Sequence, residues 1–129
     1  MLALPVVAMA AIGCGDDGAA PATTAADGCR EADAGRVTIV ARDLAWDTGC
    51  LSAPADEPVV IVVDNRDSAV NHNLHLTDAP DQPTTALEEG PVRQELAVTL
   101  PAGTYRYVCD IHPTMVGALV VGLQVTPPR

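Results

Sequence analysis

The sequence predicts an all-β fold, a Greek-key β-sandwich of about six to eight short strands. Three observations point there. Apolar residues alternate with polar ones in short runs, Pro, Gly, Asp and Asn clusters separate the runs, and no stretch keeps the 3.6-residue apolar period of an amphipathic helix.

The elements follow in chain order. Val37, Ile39 and Ala41 share one face of the first strand, with Thr38, Val40 and Arg42 on the other. After the turn signal Ser52-Ala53-Pro54, the unbroken apolar run Val59 to Val63 reads as a strand buried on both sides. Asp64-Asn65-Arg66-Asp67 then breaks the chain before an extended segment from Val70 to Leu76. In that segment alternation puts His72, Leu74 and Leu76 on one face and Asn73 and His75 on the other. Ala79-Pro80-Asp81-Gln82-Pro83 is a further turn, and Pro83 to Gly90 has room for one helical turn. Leu96 to Leu100, Tyr105 to Cys109 and Ala118 to Val125 complete the strands, the first two parted by Pro101-Ala102-Gly103. There is no internal repeat.

Residues 36–129 suit a single domain of about a hundred residues. With no Phe, one Trp (Trp46) and two Tyr (Tyr105 and Tyr107), its core must be built from Val, Leu, Ile and Ala. Seven Arg, no Lys and seventeen acidic residues leave a net charge of −10, which excludes the basic patch that nucleic acid requires. The same acidity serves solubility and steers basic partners.

Chemistry concentrates near the C-terminus. Cys109, His112 and Met115 place a thiol, an imidazole and a thioether on one short stretch, three of the four donors that a copper ion cycling between Cu(I) and Cu(II) favours. The second imidazole must come from His72 or His75, the only other histidines. Structural zinc prefers four Cys or His ligands, and Met is a poor zinc donor. A binuclear copper centre needs a second Cys in the loop, where Asp110 and Ile111 stand, and a multicopper oxidase needs more histidines than three.

The His72-Asn73 pair and the Cys-x-x-His-Pro-x-Met stretch from Cys109 to Met115 resemble the cupredoxins, with a loop length like that of amicyanin. The resemblance spans roughly Arg36 to Thr126. It implies a type 1 copper ion held by His72, Cys109 and His112 with Met115 as the long axial ligand, and Asn73 tying the His72 segment to the Cys109 loop. His75 is then expected at the surface or in a hydrogen bond. His112, in the loop, is expected at the solvent edge as the electron port, collared by Pro113, Met115 and Val116. Asp110 is expected to lower the reduction potential by favouring Cu(II).

Leu2 to Ile12 form an apolar run, broken only by Pro5, that is too short to span a membrane and suits the core of a signal peptide over residues 1–13. Ala11-Ile12-Gly13-Cys14 resembles a lipobox, in which Cys14 becomes the lipidated first residue. No Lys or Arg precedes Arg30, so the usual positive n-region is missing. Residues 14–35, poor in large apolar side chains, read as a flexible tether. With Cys14 assigned to lipid and Cys109 to metal, Cys29 and Cys50 remain, as a disulfide, as free thiols or as a second soft site.

The expectation is therefore a lipid-anchored, extracytoplasmic or periplasmic, monomeric electron carrier. It is not an enzyme by itself, and it serves redox partners such as a c-type cytochrome or a membrane oxidase. The alternative is a module for copper trafficking or sequestration, against which the lack of Met-rich or His-rich runs argues.

Overall fold

The computed structural model describes residues 28–122, so the expected signal peptide, Cys14 and most of the expected tether lie outside the described residues. Within them the chain is all β, with eleven strands and no helix. They are β1 (Arg30–Glu31), β2 (Arg36–Arg42), β3 (Ala45–Trp46), β4 (Cys50–Ala53), β5 (Val59–Asn65), β6 (Asn71–His72), β7 (His75–Leu76), β8 (Glu88–Glu89), β9 (Val92–Val98), β10 (Gly103–Cys109) and β11 (His112–Val121).

Two sheets form the sandwich. One has the order β1-β4-β11-β10-β7 and the other β3-β2-β5-β9, while β6 and β8 pair separately as a small ribbon. Hairpins join β2 to β3 and β10 to β11, while crossings between the sheets leave β2 parallel to β5 and β4 parallel to β11. Period-two burial explains the packing. Val37, Ile39 and Ala41 of β2 and Val59, Ile61 and Val63 of β5 face Leu51, Tyr105, Tyr107, Leu119 and Val121 of the other sheet. Each such side chain contributes about 1.5–3 kcal/mol on full burial, which is how a core with so few aromatic residues is held.

Tyr107 is the largest fully buried side chain. It sits opposite Gly117 in the β10–β11 ladder, and a Cβ at Gly117 would overlap its ring. Its hydroxyl donates to the Thr48 carbonyl at 2.8 Å, and burial pushes the phenol well above its ordinary value, so it remains a neutral donor. Tyr105 donates to the Pro101 carbonyl at 2.7 Å and pins the turn that precedes β10.

Several sequence expectations shift. Arg30–Glu31, placed in the tether, is a strand parallel to β4, so folded structure begins before Arg36. Pro83 to Gly90 holds no helical turn; Glu88–Glu89 is extended because it pairs with Asn71–His72. The last strand begins at His112 rather than Ala118, since Val116 and Gly117 pair with Val108 and Tyr107. Val92–Val98 replaces Leu96 to Leu100 because the whole of β5 finds a partner there.

Cys29 and Cys50 form a disulfide with a Cα–Cα separation of 4.5 Å, 21 residues apart in sequence. Replacing both by Ser is expected to lower stability by about 3 kcal/mol, from the entropy returned to the unfolded chain; chemical denaturation measures it. Arg30 also bonds Asp47 at 3.1 Å and the Thr38 carbonyl at 2.7 Å. Burial raises the Asp47 carboxyl, but the Arg30 side chain and the Val40 N–H outweigh it and hold the group below its ordinary 3.8. Its stabilisation is thus complete above that value and is lost as pH falls through the lower folded value. The melting-temperature difference between wild type and Asp47→Asn is expected to be present at neutral pH and to shrink in acid.

Candidate metal centre

Three donors converge at one end of the sandwich. Cys109 ends β10 and His112 opens β11, so the two face each other across the turn at Asp110 and Ile111, with a ladder irregularity after Val108. His72 arrives from the separate β6–β8 ribbon. Its Nδ1 lies 3.1 Å from His112 Nδ1 and 3.8 Å from Cys109 Sγ, and His112 Nδ1 lies 3.4 Å from Cys109 Sγ. A triangle with those edges has its centre about 2.0 Å from every corner, close to the ~2.0–2.3 Å at which imidazole nitrogen and thiolate bind a metal ion. His72 and Cys109 are buried, whereas His112 is half-buried.

Met115 is 1% exposed and packs with Cys109, Ala41 and Trp46 in a small cluster at the same end. Two imidazoles, a thiolate and a nearby thioether fit a type 1 copper ion better than zinc, which does not favour thioether sulfur. His75 stands apart from the triangle, its Nδ1 bonded to Asp110 at 2.9 Å.

The surrounding bonds explain the convergence. Asn73 Oδ1 accepts the Asp110 N–H at 2.9 Å, while Asn73 Nδ2 donates to Asp110 Oδ2 at 2.9 Å and to Thr84 Oγ1 at 3.1 Å. This ties the His72 segment to the Cys109–His112 turn. The bonds from His75 and Asn73 hold the Asp110 carboxyl below its ordinary range.

On the far side of His72, Nε2–H donates to Asp67 Oδ2 at 2.8 Å. An ionised carboxylate only accepts, so the proton sits on Nε2 and Nδ1 keeps a lone pair facing the triangle. Burial raises the Asp67 carboxyl, but bonds from the Leu44 N–H, His72 and the Asp43 N–H outweigh it, and it lies below its ordinary range.

Two expectations need correction. His112 and Met115 begin a strand rather than occupying a loop, because the turn takes only two residues. Met115 is buried, so it is not part of an exposed apolar rim; of the neighbouring residues, Ile111 and Val116 are 48% and 40% exposed and Pro113 is exposed as well. Sequence reasoning passed over Asp67, Thr84 and Trp46. The turn signal at Asp64 to Asp67 flagged the right loop, but a carboxylate five residues before His72 carries no periodic signature. Trp46 packs with its ring centre 6.5 Å from that of His72 and 6.0 Å from that of Tyr107, shielding the site from within.

Asn73→Ala removes the side-chain tie between the two donor segments and is expected to weaken metal affinity about 10- to 100-fold with the sheets intact. Cu(II) titration beside far-ultraviolet circular dichroism measures both.

No curated protein matches the chain in sequence. Among solved structures, auracyanin from the photosynthetic bacterium Roseiflexus castenholzii is similar with a TM-score of 0.60 and 18% identity, covering 68% of this chain and 97% of that one. Auracyanin A, a blue copper protein from Chloroflexus aurantiacus, is similar with a TM-score of 0.59 and 24% identity, covering 67% and 97%. A reduced Cu(I) form of an amicyanin variant is similar with a TM-score of 0.56 and 25% identity, covering 69% and 84%. The family model for the cupredoxin-like domain matches residues 7–121, and the chain belongs to that family.

Proposed function

We propose that this protein is a mononuclear type 1 copper protein that carries single electrons between extracytoplasmic redox partners and is not itself an enzyme. The observation that carries the reading is the donor triangle, whose centre lies at bonding distance from His72 Nδ1, Cys109 Sγ and His112 Nδ1, with Met115 packed alongside. The blue copper relative and the Cu(I) amicyanin form of the same fold support it.

Bound copper supplies a one-electron Cu(I)/Cu(II) couple. The chain's residues do the rest. His72 and Cys109 are buried and keep water from the donors. Asn73 and Asp67 fix donor positions through hydrogen bonds, so little rearrangement accompanies a change of oxidation state. His112 is half-buried between exposed Ile111, Pro113 and Val116, which gives an edge where a partner docks briefly against apolar side chains.

The net charge of −10 steers a basic partner, such as a c-type cytochrome, toward the molecule. A membrane oxidase suits equally if lipid on Cys14 holds the monomeric domain near a membrane surface.

The test is the visible and electron-paramagnetic spectrum of the purified protein with one equivalent of Cu(II), beside Cys109→Ser. The expected result is an intense blue thiolate-to-copper band with narrow hyperfine splitting, lost in the variant. A pale spectrum indifferent to the substitution contradicts electron transfer and favours copper trafficking.

A further inference from the structure

Asp67 is the charged side chain that bonds directly to a donor imidazole, and it is itself held in place. Its Oδ1 accepts the Asp43 N–H at 2.6 Å and its Oδ2 accepts both the Leu44 N–H at 3.0 Å and His72 Nε2–H at 2.8 Å. Asp43 and Leu44 both have positive φ, 55° and 60°, so their N–H groups turn inward from the tight β2–β3 connection. From its own side, the Asp67 N–H donates to Asn65 Oδ1 at 2.9 Å, and Asn65 Nδ2 reaches the Val70 and Glu88 carbonyls. Gly90 lets this loop pack closely, since a Cβ there would meet Asn65 Oδ1 at 2.7 Å. The carboxylate cannot swing away without breaking several bonds.

Burial makes the contact strong. The His72 side chain is 0% exposed and that of Asp67 12%, so water screens the charge poorly. Asp110, beside Cys109 in sequence, is 43% exposed and shares its charge with His75 and Asn73. A carboxylate on the remote N–H of a ligating imidazole raises that ring's basicity and favours the more highly charged metal ion.

We propose that Asp67 is a positioning residue that holds His72 in the tautomer with Nδ1 free and biases the bound metal toward Cu(II), lowering the reduction potential. The bias toward Cu(II) rests on the copper reading above. The hold on the tautomer does not.

The experiment uses the purified protein, its Asp67→Asn, Asp67→Glu and Asp67→Ala variants, and two readouts. With copper bound, Asp67→Asn keeps the shape of Asp67 but not its charge. It is expected to shift the preference toward Cu(I) by about tenfold, a rise of about 59 mV for one electron, while the blue band persists. Asp67→Glu is expected to recover part of that shift. In the metal-free protein, ring ¹⁵N shifts are expected to show His72 protonated at Nε2 alone, and a mixture of tautomers in Asp67→Ala, whose unpaired Asp43 and Leu44 N–H groups lie in an exposed turn that water can serve.

An unchanged potential in Asp67→Asn overturns the bias toward Cu(II), and an unchanged tautomer in Asp67→Ala overturns the positioning role. A wild-type protein that binds no Cu(II), or shows no blue band, sinks the copper reading instead. The metal-free tautomer still decides whether Asp67 governs His72.

Discussion

The amide of Asn73 uses its oxygen on the Asp110 N–H and its nitrogen on the Asp110 carboxylate and Thr84, and the rest of the site depends on that grip. His72 belongs to β6, which among the described residues pairs with β8 alone, whereas Cys109 belongs to β10, which pairs with β11 and β7. Among the described residues no backbone ladder joins β6 to β10 directly. The β7–β10 ladder, which pairs His75 with Val108, brings the chain after His72 alongside Cys109, and Asn73 fixes the remaining register while 2% exposed, where an unmade hydrogen bond would cost about 1–3 kcal/mol. The donors are close because the scaffold puts them there.

Electrostatics follow from the same packing. Asp67 reaches His72 from the side of the β2–β3 turn, while Asp110 lies beside Cys109 at the surface. Two carboxylates near one centre thus differ in environment: one shielded and bonded to a donor ring, the other open to water and bonded to His75. Of the two, Asp67 has the less exposed side chain, 12% against 43%, where water screens a charge less. Tyr107 and Trp46 close the inner side, and the Gly117 gap that admits the Tyr107 ring lies two residues from Met115 on the strand that His112 opens.

Much of this was legible in the residues. Val37, Ile39 and Ala41 announce a strand by alternation, and Val59 to Val63 a doubly buried one, because burial imposes those patterns locally. Cys109, His112 and Met115 stand out through donor chemistry at close spacing. The two-residue strands β1, β3, β6, β7 and β8 are too short for any period and exist only because a partner lies opposite, so sequence alone could not place them. His72 and Asn73 are both buried although adjacent, and Asn73 shares its partner Asp110 with His75, as the alternation of the segment implies. Pro113 reads as a turn residue yet sits near the start of β11, where the chain is already extended. Asp67 was invisible as a site residue because its role arises from a fold of the loop, not from spacing.

The central claim is that the protein, rather than the metal, sets the donor geometry. Its most direct test is a pair of crystal structures, metal-free and copper-loaded, compared at His72 Nδ1, Cys109 Sγ and His112 Nδ1. The account predicts that the metal-free distances stay near 3.1, 3.4 and 3.8 Å and change by less than about 0.5 Å on loading. A metal-free structure with the His72 or His112 ring rotated out, or with the Asp110 turn detached from Asn73, would contradict it.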